Sequence, residues 1–383
     1  MGRQDNVDWK KLVSDGSRDV AELQEELRIP PEQLEDLAKV QGTYPFFANP
    51  YYLSLIDPDD PADPIRRMSV PNLEELDHVG LADTSGEAAS TVLPGLQHKY
   101  AETALLIATS NCALYCRHCF RRRFVGKSRD EVVRDLGAVA DYIGKHREIT
   151  NVLVTGGDPF TLDNCEIRRY LEALAPIEHL RAIRFGTRVP VVLPQRIAHD
   201  DELVEMLAEF NARKQIHVVT QFNHAAEITP ESRSAVKRLF QAGIPVRNQT
   251  VLLAGVNDDA QTLANLMNGL ISAGVFPYYV FQCRPVAGVE ARFQVPLRRG
   301  FEIVDEARGN LNGMGKSFRF VMSHNAGKIE ILGPVEELVS QGNGEEGRML
   351  FRFHQARNRQ NLGKLFAVPA SEGKCWLDQD DLP

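Results

Sequence analysis

From about residue 100 the chain alternates between two hydrophobic rhythms. Short apolar runs rich in β-branched or aromatic residues occur at TALLIAT (103–109), NVLVTG (151–156), AIRFGT (182–187), IHVVTQF (216–222), PVRNQTVLL (245–253) and PYYVFQC (277–283). Between them, segments such as EVVRDLGAVADYIGKH, DELVEMLAEFNAR, PESRSAVKRLFQAG and DAQTLANLMNGLISAG place apolar residues every three or four positions, the helical period. Strands alternating with helices of this length predict a parallel sheet with right-handed crossovers. Six such units are too few for a closed eight-stranded barrel. The pattern therefore predicts an α/β fold, a curved, open (β/α)6 partial TIM barrel. Before it, residues 1 to about 90 predict polar helices and loops. A helix start is expected at Ile29-Pro30-Pro31-Glu32, and prolines and acids exclude long elements through NPYYLSLIDPDDPADPIRRMSVP.

In parallel α/β folds, sites form at the C-terminal ends of the strands. At those ends the chain places a cysteine run, then Thr155-Gly156-Gly157-Asp158-Pro159, Gly186-Thr187-Arg188, Gln221-Phe222-Asn223-His224 and Gln282-Cys283-Arg284. The run is Cys112, Cys116 and Cys119, a C-x3-C-x2-C spacing. Three soft thiolates suit a [4Fe–4S] cluster, whose fourth iron is then left open for chemistry. The alternatives are a structural zinc knuckle, which usually takes four ligands, or three unrelated thiols.

Composition narrows the class. The chain has 383 residues, 43% hydrophobic and 25% charged, with a net charge of −8. This is ordinary for a soluble globular protein and argues against nucleic-acid binding, which needs a basic face. Three cysteines lie outside the run (Cys165, Cys283, Cys375) and suggest no disulfide framework. No apolar stretch has the length of a membrane span, and MGRQDNVDWKKLVSDGSRD lacks the apolar core of a signal peptide. A cytoplasmic enzyme is expected.

Other motifs are weaker alone. Gly156-Gly157 lets backbone approach a ligand without a Cβ in the way, but the same residues suit a plain strand-to-helix turn with Asp158 as cap. Arg121, Arg122 and Arg123 offer a carboxylate clamp, although at least one of the three is expected to be a solvated surface charge. Lys328, after Ala326-Gly327, is not a P-loop lysine, since the upstream glycine is absent and Ile329 follows. A lysine on such a turn can form a Schiff base with pyridoxal phosphate.

The cysteine spacing resembles that of radical S-adenosylmethionine enzymes, in which the open iron binds S-adenosylmethionine and its cleavage gives a hydrogen-abstracting radical. The resemblance narrows with CRHCFRRRFVG, TGGDPFTL, FGTRVPVVLPQRI, QFNHAAEIT and NQTVLLAGVND, and upstream NPYYLSLIDPDDPADPIR and LPGLQHKY. Together, from about residue 45 to 335, they are similar to the lysine 2,3-aminomutase family. That resemblance implies the radical S-adenosylmethionine barrel, a 1,2-amino shift giving a β-amino acid, and an external reductant of flavodoxin or ferredoxin type. It implies that Cys112, Cys116 and Cys119 hold the cluster and that Gly156, Gly157 and Asp158 hold S-adenosylmethionine. It further implies that Lys328 carries pyridoxal phosphate, that Lys99 lies near its phosphate, and that Arg121 clamps the substrate α-carboxylate. Residues 1–95 would be an N-terminal extension, 96–315 the barrel, and 316–383 a C-terminal segment with the cofactor lysine.

Two departures from the lysine enzymes matter. Those enzymes balance the substrate ammonium with two acids, one after the end of strand six and one before the cofactor lysine. Here the first place holds Arg284, in FQCRP, and no Asp or Glu occurs between Phe318 and Lys328. An arginine repels an ammonium and attracts a carboxylate, so glutamate is the favoured substrate, with Asn325 or His324 assisting. Lysine or another amino acid is the alternative, protein-bound lysine included, and an Fe–S redox or sensing protein is the alternative of a different class. The lysine enzymes also carry a cysteine-rich C-terminal zinc site; the tail here has only Cys375, so no zinc is expected. A homo-oligomer acting on a free amino acid, with no nucleic-acid or membrane partner, completes the expectation.

Overall fold

The computed structural model describes residues 8–77, 79–335, 347–369 and 371–383. Its strands are β1 (Thr91–Leu93), β2 (Leu96–Tyr100), β3 (Thr103–Thr109), β4 (Asn151–Gly156), β5 (Ala182–Gly186), β6 (Gln215–Thr220), β7 (Val246–Leu252), β8 (Phe276–Gln282), β9 (Arg319–His324), β10 (Gly327–Pro334), β11 (Arg348–Ala356) and β12 (Leu365–Pro369). Among the described residues they form one sheet in sequence order. Pairing from β3 through β9 is parallel, and both flanks are antiparallel.

All six expected strands are present, and the parallel run continues one strand further. Helix Leu297–Gly309 provides a sixth crossover, so the chain re-enters in parallel as β9, with Phe281 opposite Val321. The two expected segment boundaries fall in turns, between β1 and β2 and just before β9.

The crossover helices start where the sequence supplies caps. Asp135, Asp200, Thr229 and Asp259 each accept a backbone N–H from the first turn of Leu136–Lys145, Asp201–Asn211, Pro230–Gln241 and Ala260–Ser272, offsetting the unpaired donors of a helix start. The first helix begins later than its hydrophobic pattern predicts, at Leu136 rather than near residue 131. Val133 N–H is spent on Ile107 O at 2.9 Å, and the Asp135 cap fixes the start. In Asp201–Asn211 the buried positions are Leu203, Val204, Met206, Leu207 and Phe210, one stripe facing the sheet.

The N-terminal extension clamps the loop after β3. Ala48 bridges Leu114, Tyr115 N–H donates to Phe47 O at 2.8 Å, and Arg117 N–H to Met68 O at 2.8 Å. The buried Asn49 amide donates to Ala113 O and Val192 O, both at 2.8 Å. Inside the sheet lies a cavity of about 640 Å3 lined by residues of every strand from β2 to β11. One cavity touched by so many strands requires a sheet that curves around it, the partial barrel expected from the alternation. No helix among the described residues is long and apolar enough to cross a membrane.

Candidate active site

Cys112, Cys116 and Cys119 all line the cavity. Burial pushes the Cys119 thiol up to about 11 and the Cys112 thiol well above its ordinary value, each helped by neighbouring sulfurs. Ionising these thiols therefore needs compensating positive charge, and bound metal provides it. Arg188 adds more, donating from Nη1 to Cys116 Sγ at 2.8 Å. Among the described residues, no three His, Cys, Asp or Glu side chains are grouped as ligands of one metal ion; the cysteines share a cavity wall. Three soft, cavity-facing donors beside buried guanidinium fit an iron–sulfur cluster. His118 is not a fourth partner. Its Nε2 faces the Asn223 amide at 3.2 Å, and burial holds the ring neutral, with its pKa lowered to about 3.

The two glycines after β4 bring protein against protein. A Cβ on Gly157 would stand 2.2 Å from Asn111 O, and one on Gly156, at φ +121°, 2.6 Å from Thr109 O. Gly157 N–H and Asp158 N–H donate to Thr109 O and Asn111 O at 2.6 and 2.7 Å. The glycines thus seat the cysteine loop, and they also line the cavity. Asp158 uses both carboxylate oxygens internally, accepting Thr187 Oγ1–H and Arg188 N–H, both at 2.6 Å, and Phe160 N–H at 3.1 Å. Its side chain ties the β4 and β5 loops together.

None of the three arginines after the cysteines is a free surface charge, contrary to the expectation for at least one of them. Arg122 joins Arg117 and Arg292 around Glu75, which is 0% exposed. Arg121 Nε donates to Glu87 Oε1 at 2.8 Å, and Arg123 pairs with Glu87 and Glu131. The acids that pair with these arginines lie mostly in the N-terminal extension, too far along the chain for any local pattern to show them. Arg121 remains in the cavity wall.

Lys328, the second residue of β10, points into the cavity. Its Nζ donates to Gln355 Oε1 at 2.6 Å and stands 5.1 Å from the Tyr100 ring. Burial, then Arg184, Lys99 and Arg284, lower its pKa to about 7, so near neutral pH much of the amine is uncharged and nucleophilic. Lys99 on β2 donates to Ser85 O and His324 O, both at 2.9 Å; burial, then Arg284 and Arg357, also bring it to about 7. An aldehyde-reactive lysine beside Lys99 and Arg184, with room to spare, fits pyridoxal phosphate.

Arg284 turns inward. Its guanidinium donates to Ser85 Oγ, to Thr84 Oγ1 at 3.4 Å and to Ser323 Oγ at 2.7 Å, and lies 4.6 Å from the Phe120 ring. It forms no ion pair among the described residues, and burial lowers its pKa to about 10, which leaves it charged. Asn325 does not join it. The chain turns outward between β9 and β10, leaving Asn325 exposed and outside the cavity wall, and Ser323 stands beside Arg284 instead. His324 is also outside that wall, packed 6.2 Å from the Trp376 ring.

The structure therefore gathers the three cysteines, Gly156, Gly157, Asp158, Lys99, Arg121, Arg284 and Lys328 around one space. Sequence reasoning missed Ser85, Glu87, Arg184, Arg188 and Gln355 as its neighbours. Arg188 was visible at a strand end; the others carry no motif.

Comparison with known proteins agrees with this geometry. Residues 106–267 match the family model described as the radical SAM superfamily. The chain is 39% identical over 317 residues to the L-lysine 2,3-aminomutase of Acetoanaerobium sticklandii, covering 82% of this chain and 75% of that one. It is 38% identical over 309 residues to the L-lysine 2,3-aminomutase of Clostridium subterminale, 80% and 73% of the two chains. To the glutamate 2,3-aminomutase of Clostridioides difficile it is 36% identical over 341 residues, 88% and 79%.

Proposed function

The chain belongs to the lysine 2,3-aminomutase family of radical S-adenosylmethionine enzymes, and on that premise we propose that it converts glutamate into β-glutamate. Membership makes it an isomerase with a [4Fe–4S] cluster and S-adenosylmethionine. When bound, the cluster and S-adenosylmethionine supply a hydrogen-abstracting radical, and pyridoxal phosphate supplies the conjugated system across which nitrogen migrates.

The observation that carries the substrate choice is the charge of the cavity wall. Among the described residues its only acids are Glu87 and Asp158. Glu87 is held by Arg121 and Arg123, and Asp158 by one hydroxyl and two backbone N–H groups. Neither of these carboxylates is left for a distal ammonium, while Arg284, half-buried, forms no ion pair among the described residues. A side-chain carboxylate supplies that partner, at the strength of a buried charge-assisted pair.

Each remaining task falls to a named group. Arg121 binds the α-carboxylate, its Nε already fixed on Glu87 so that the guanidinium edge is oriented in advance. Arg284 holds the distal carboxylate. Lys328 holds pyridoxal phosphate through Nζ, and Gln355 orients that amine. Arg188 steadies Cys116, and the curved sheet keeps water from the radical. Sequence identity does not choose the substrate, since relatives named for lysine and for glutamate differ by only a few per cent.

The test is anaerobic turnover of the reconstituted enzyme with S-adenosylmethionine, pyridoxal phosphate and dithionite, offered glutamate and lysine separately. β-Glutamate with little β-lysine is expected. β-Lysine as the main product would refute the role given to Arg284 and leave the family intact.

A further inference from the structure

The cysteine loop is reached from two sides. Cys116 and Cys119 line the large cavity and also a separate crevice of about 20 Å3, whose other walls include Tyr44, Tyr115, Arg122 and Val125. Gly126 lies exposed at this side, against Tyr115: a Cβ there would stand 2.4 Å from the ring. The bare glycine backbone thus leaves Tyr115, which shares the crevice with Cys116 and Cys119, partly exposed.

Two cations without an ion-pair partner among the described residues stand exposed at this face of a chain whose net charge is −8. Lys127 is exposed, 5.5 Å from the Tyr44 ring, and donates only to Thr43 O at 3.0 Å. Arg18 is exposed over the Phe47 ring at 4.9 Å, and Phe47 packs 5.6 Å from Tyr115. Neither cation forms an ion pair among the described residues, whereas exposed Arg28 and Lys39 both do. Beneath the crevice, Arg117, Arg122 and Arg292 surround the carboxylate of Glu75, and Arg292 also stands 3.7 Å from Glu74. An acidic protein is repelled by the molecule as a whole and drawn to this face.

We propose that the face formed by Arg18, Tyr44, Tyr115, Gly126 and Lys127 is the docking surface for a small acidic one-electron carrier protein, which reduces the cluster from the side away from the substrate. One electron leaves the carrier and one enters the cluster; no bond is made or broken and no atom is transferred. Entry from behind lets reduction proceed while the cavity holds substrate and stays closed to water. The proposal rests on the cluster that the family implies and is independent of which amino acid is the substrate.

The experiment follows the visible absorbance of the reconstituted cluster in a stopped-flow instrument as it is reduced by flavodoxin or, separately, by dithionite. For the wild-type protein the flavodoxin-driven rate is expected to fall steeply with added salt. The Arg18→Glu/Lys127→Glu double variant is expected to lose at least about tenfold of that rate at low salt, within the range of electrostatic steering, with iron content and dithionite-driven rate unchanged. Arg18→Gln/Lys127→Gln, which removes charge without adding any, gives a smaller fall and keeps the test valid if charge reversal costs iron. A flavodoxin-driven rate unchanged in both variants, or insensitive to salt in the wild type, overturns the proposal. Failure of glutamate turnover would leave this readout untouched, so the two conclusions stand or fall separately.

Discussion

Replacing Arg284 by glutamine separates charge from shape. The guanidinium is anchored by Ser85, Thr84 and Ser323 hydroxyls, and a glutamine amide can keep one of those contacts, so the fold should tolerate the change. What disappears is the positive charge. A carboxylate about 4 Å from a guanidinium at an effective dielectric near 20 gains roughly 4 kcal/mol, part of which offsets desolvation of the substrate. Truncating one partner of a buried charged pair costs about 2–5 kcal/mol. Taking about 3 kcal/mol, and 1.4 kcal/mol per decade, kcat/KM for glutamate should fall on the order of a hundredfold. Most of the loss should lie in KM, because the contact is the same in ground and transition states. The assay is anaerobic steady-state production of β-glutamate, with deoxyadenosine release measured alongside. Arg284→Asp should lose still more with glutamate and gain turnover of lysine. A fall of less than about threefold in Arg284→Gln, or no gain for lysine in Arg284→Asp, would refute the electrostatic account of the pocket.

Three further changes test the supporting residues. Lys328→Ala should abolish turnover and the visible absorbance of the lysine–pyridoxal imine while keeping cluster absorbance. In the wild type the rate of imine formation should rise through pH about 7 and then level off, because the amine is protonated and unreactive below its lowered pKa. Gly157→Ala pushes a methyl to within 2.2 Å of Asn111 O, so the cysteine loop must shift, and iron content after reconstitution should drop. Glu75→Gln strips the carboxylate from three buried arginines; at about 3–5 kcal/mol and roughly 2 °C per kcal/mol, Tm should fall by about 6–10 °C, read by calorimetry.

The parts of this protein that repeat locally were legible in its sequence. Strand and helix periods marked six strands and four crossover helices, although the first helix starts at Leu136, five residues later than its pattern predicts. The rule that sites lie at strand ends brought forward the cysteines, the glycine pair and Arg284 from their positions along the chain alone. What stayed hidden depends on partners distant along the chain. Glu75 and Glu87 look like two more acids in the polar passage between Pro71 and Pro94, yet they are buried because Arg117, Arg121, Arg122, Arg123 and Arg292 surround them. Asn325 was placed by proximity to Lys328 in sequence, but a turn sends successive residues in different directions, and Ser323 occupies the position beside Arg284. Even the glycine pair was found for an incomplete reason, since its missing side chains make room first for the backbone of the cysteine loop.

Those distant pairs also explain why the segment before the barrel lines the cavity. Ser85 contacts both Arg284, through its hydroxyl, and Lys99, through its carbonyl; Glu87 orients Arg121. Two residues apart, they set the positions of the guanidinium groups assigned to the two ends of the substrate. Under the proposed assignment, any shift of this short loop moves both guanidinium groups together, so their spacing is expected to govern the length of dicarboxylate accepted. The choice of glutamate over lysine is thus assigned to the charge at position 284, and the choice among dicarboxylates of different length to the Ser85–Glu87 spacing. Aspartate, one methylene shorter, is therefore expected to forfeit one charge-assisted pair and to show a lower kcat/KM than glutamate in the same anaerobic assay; equal values would refute the role given to the spacing.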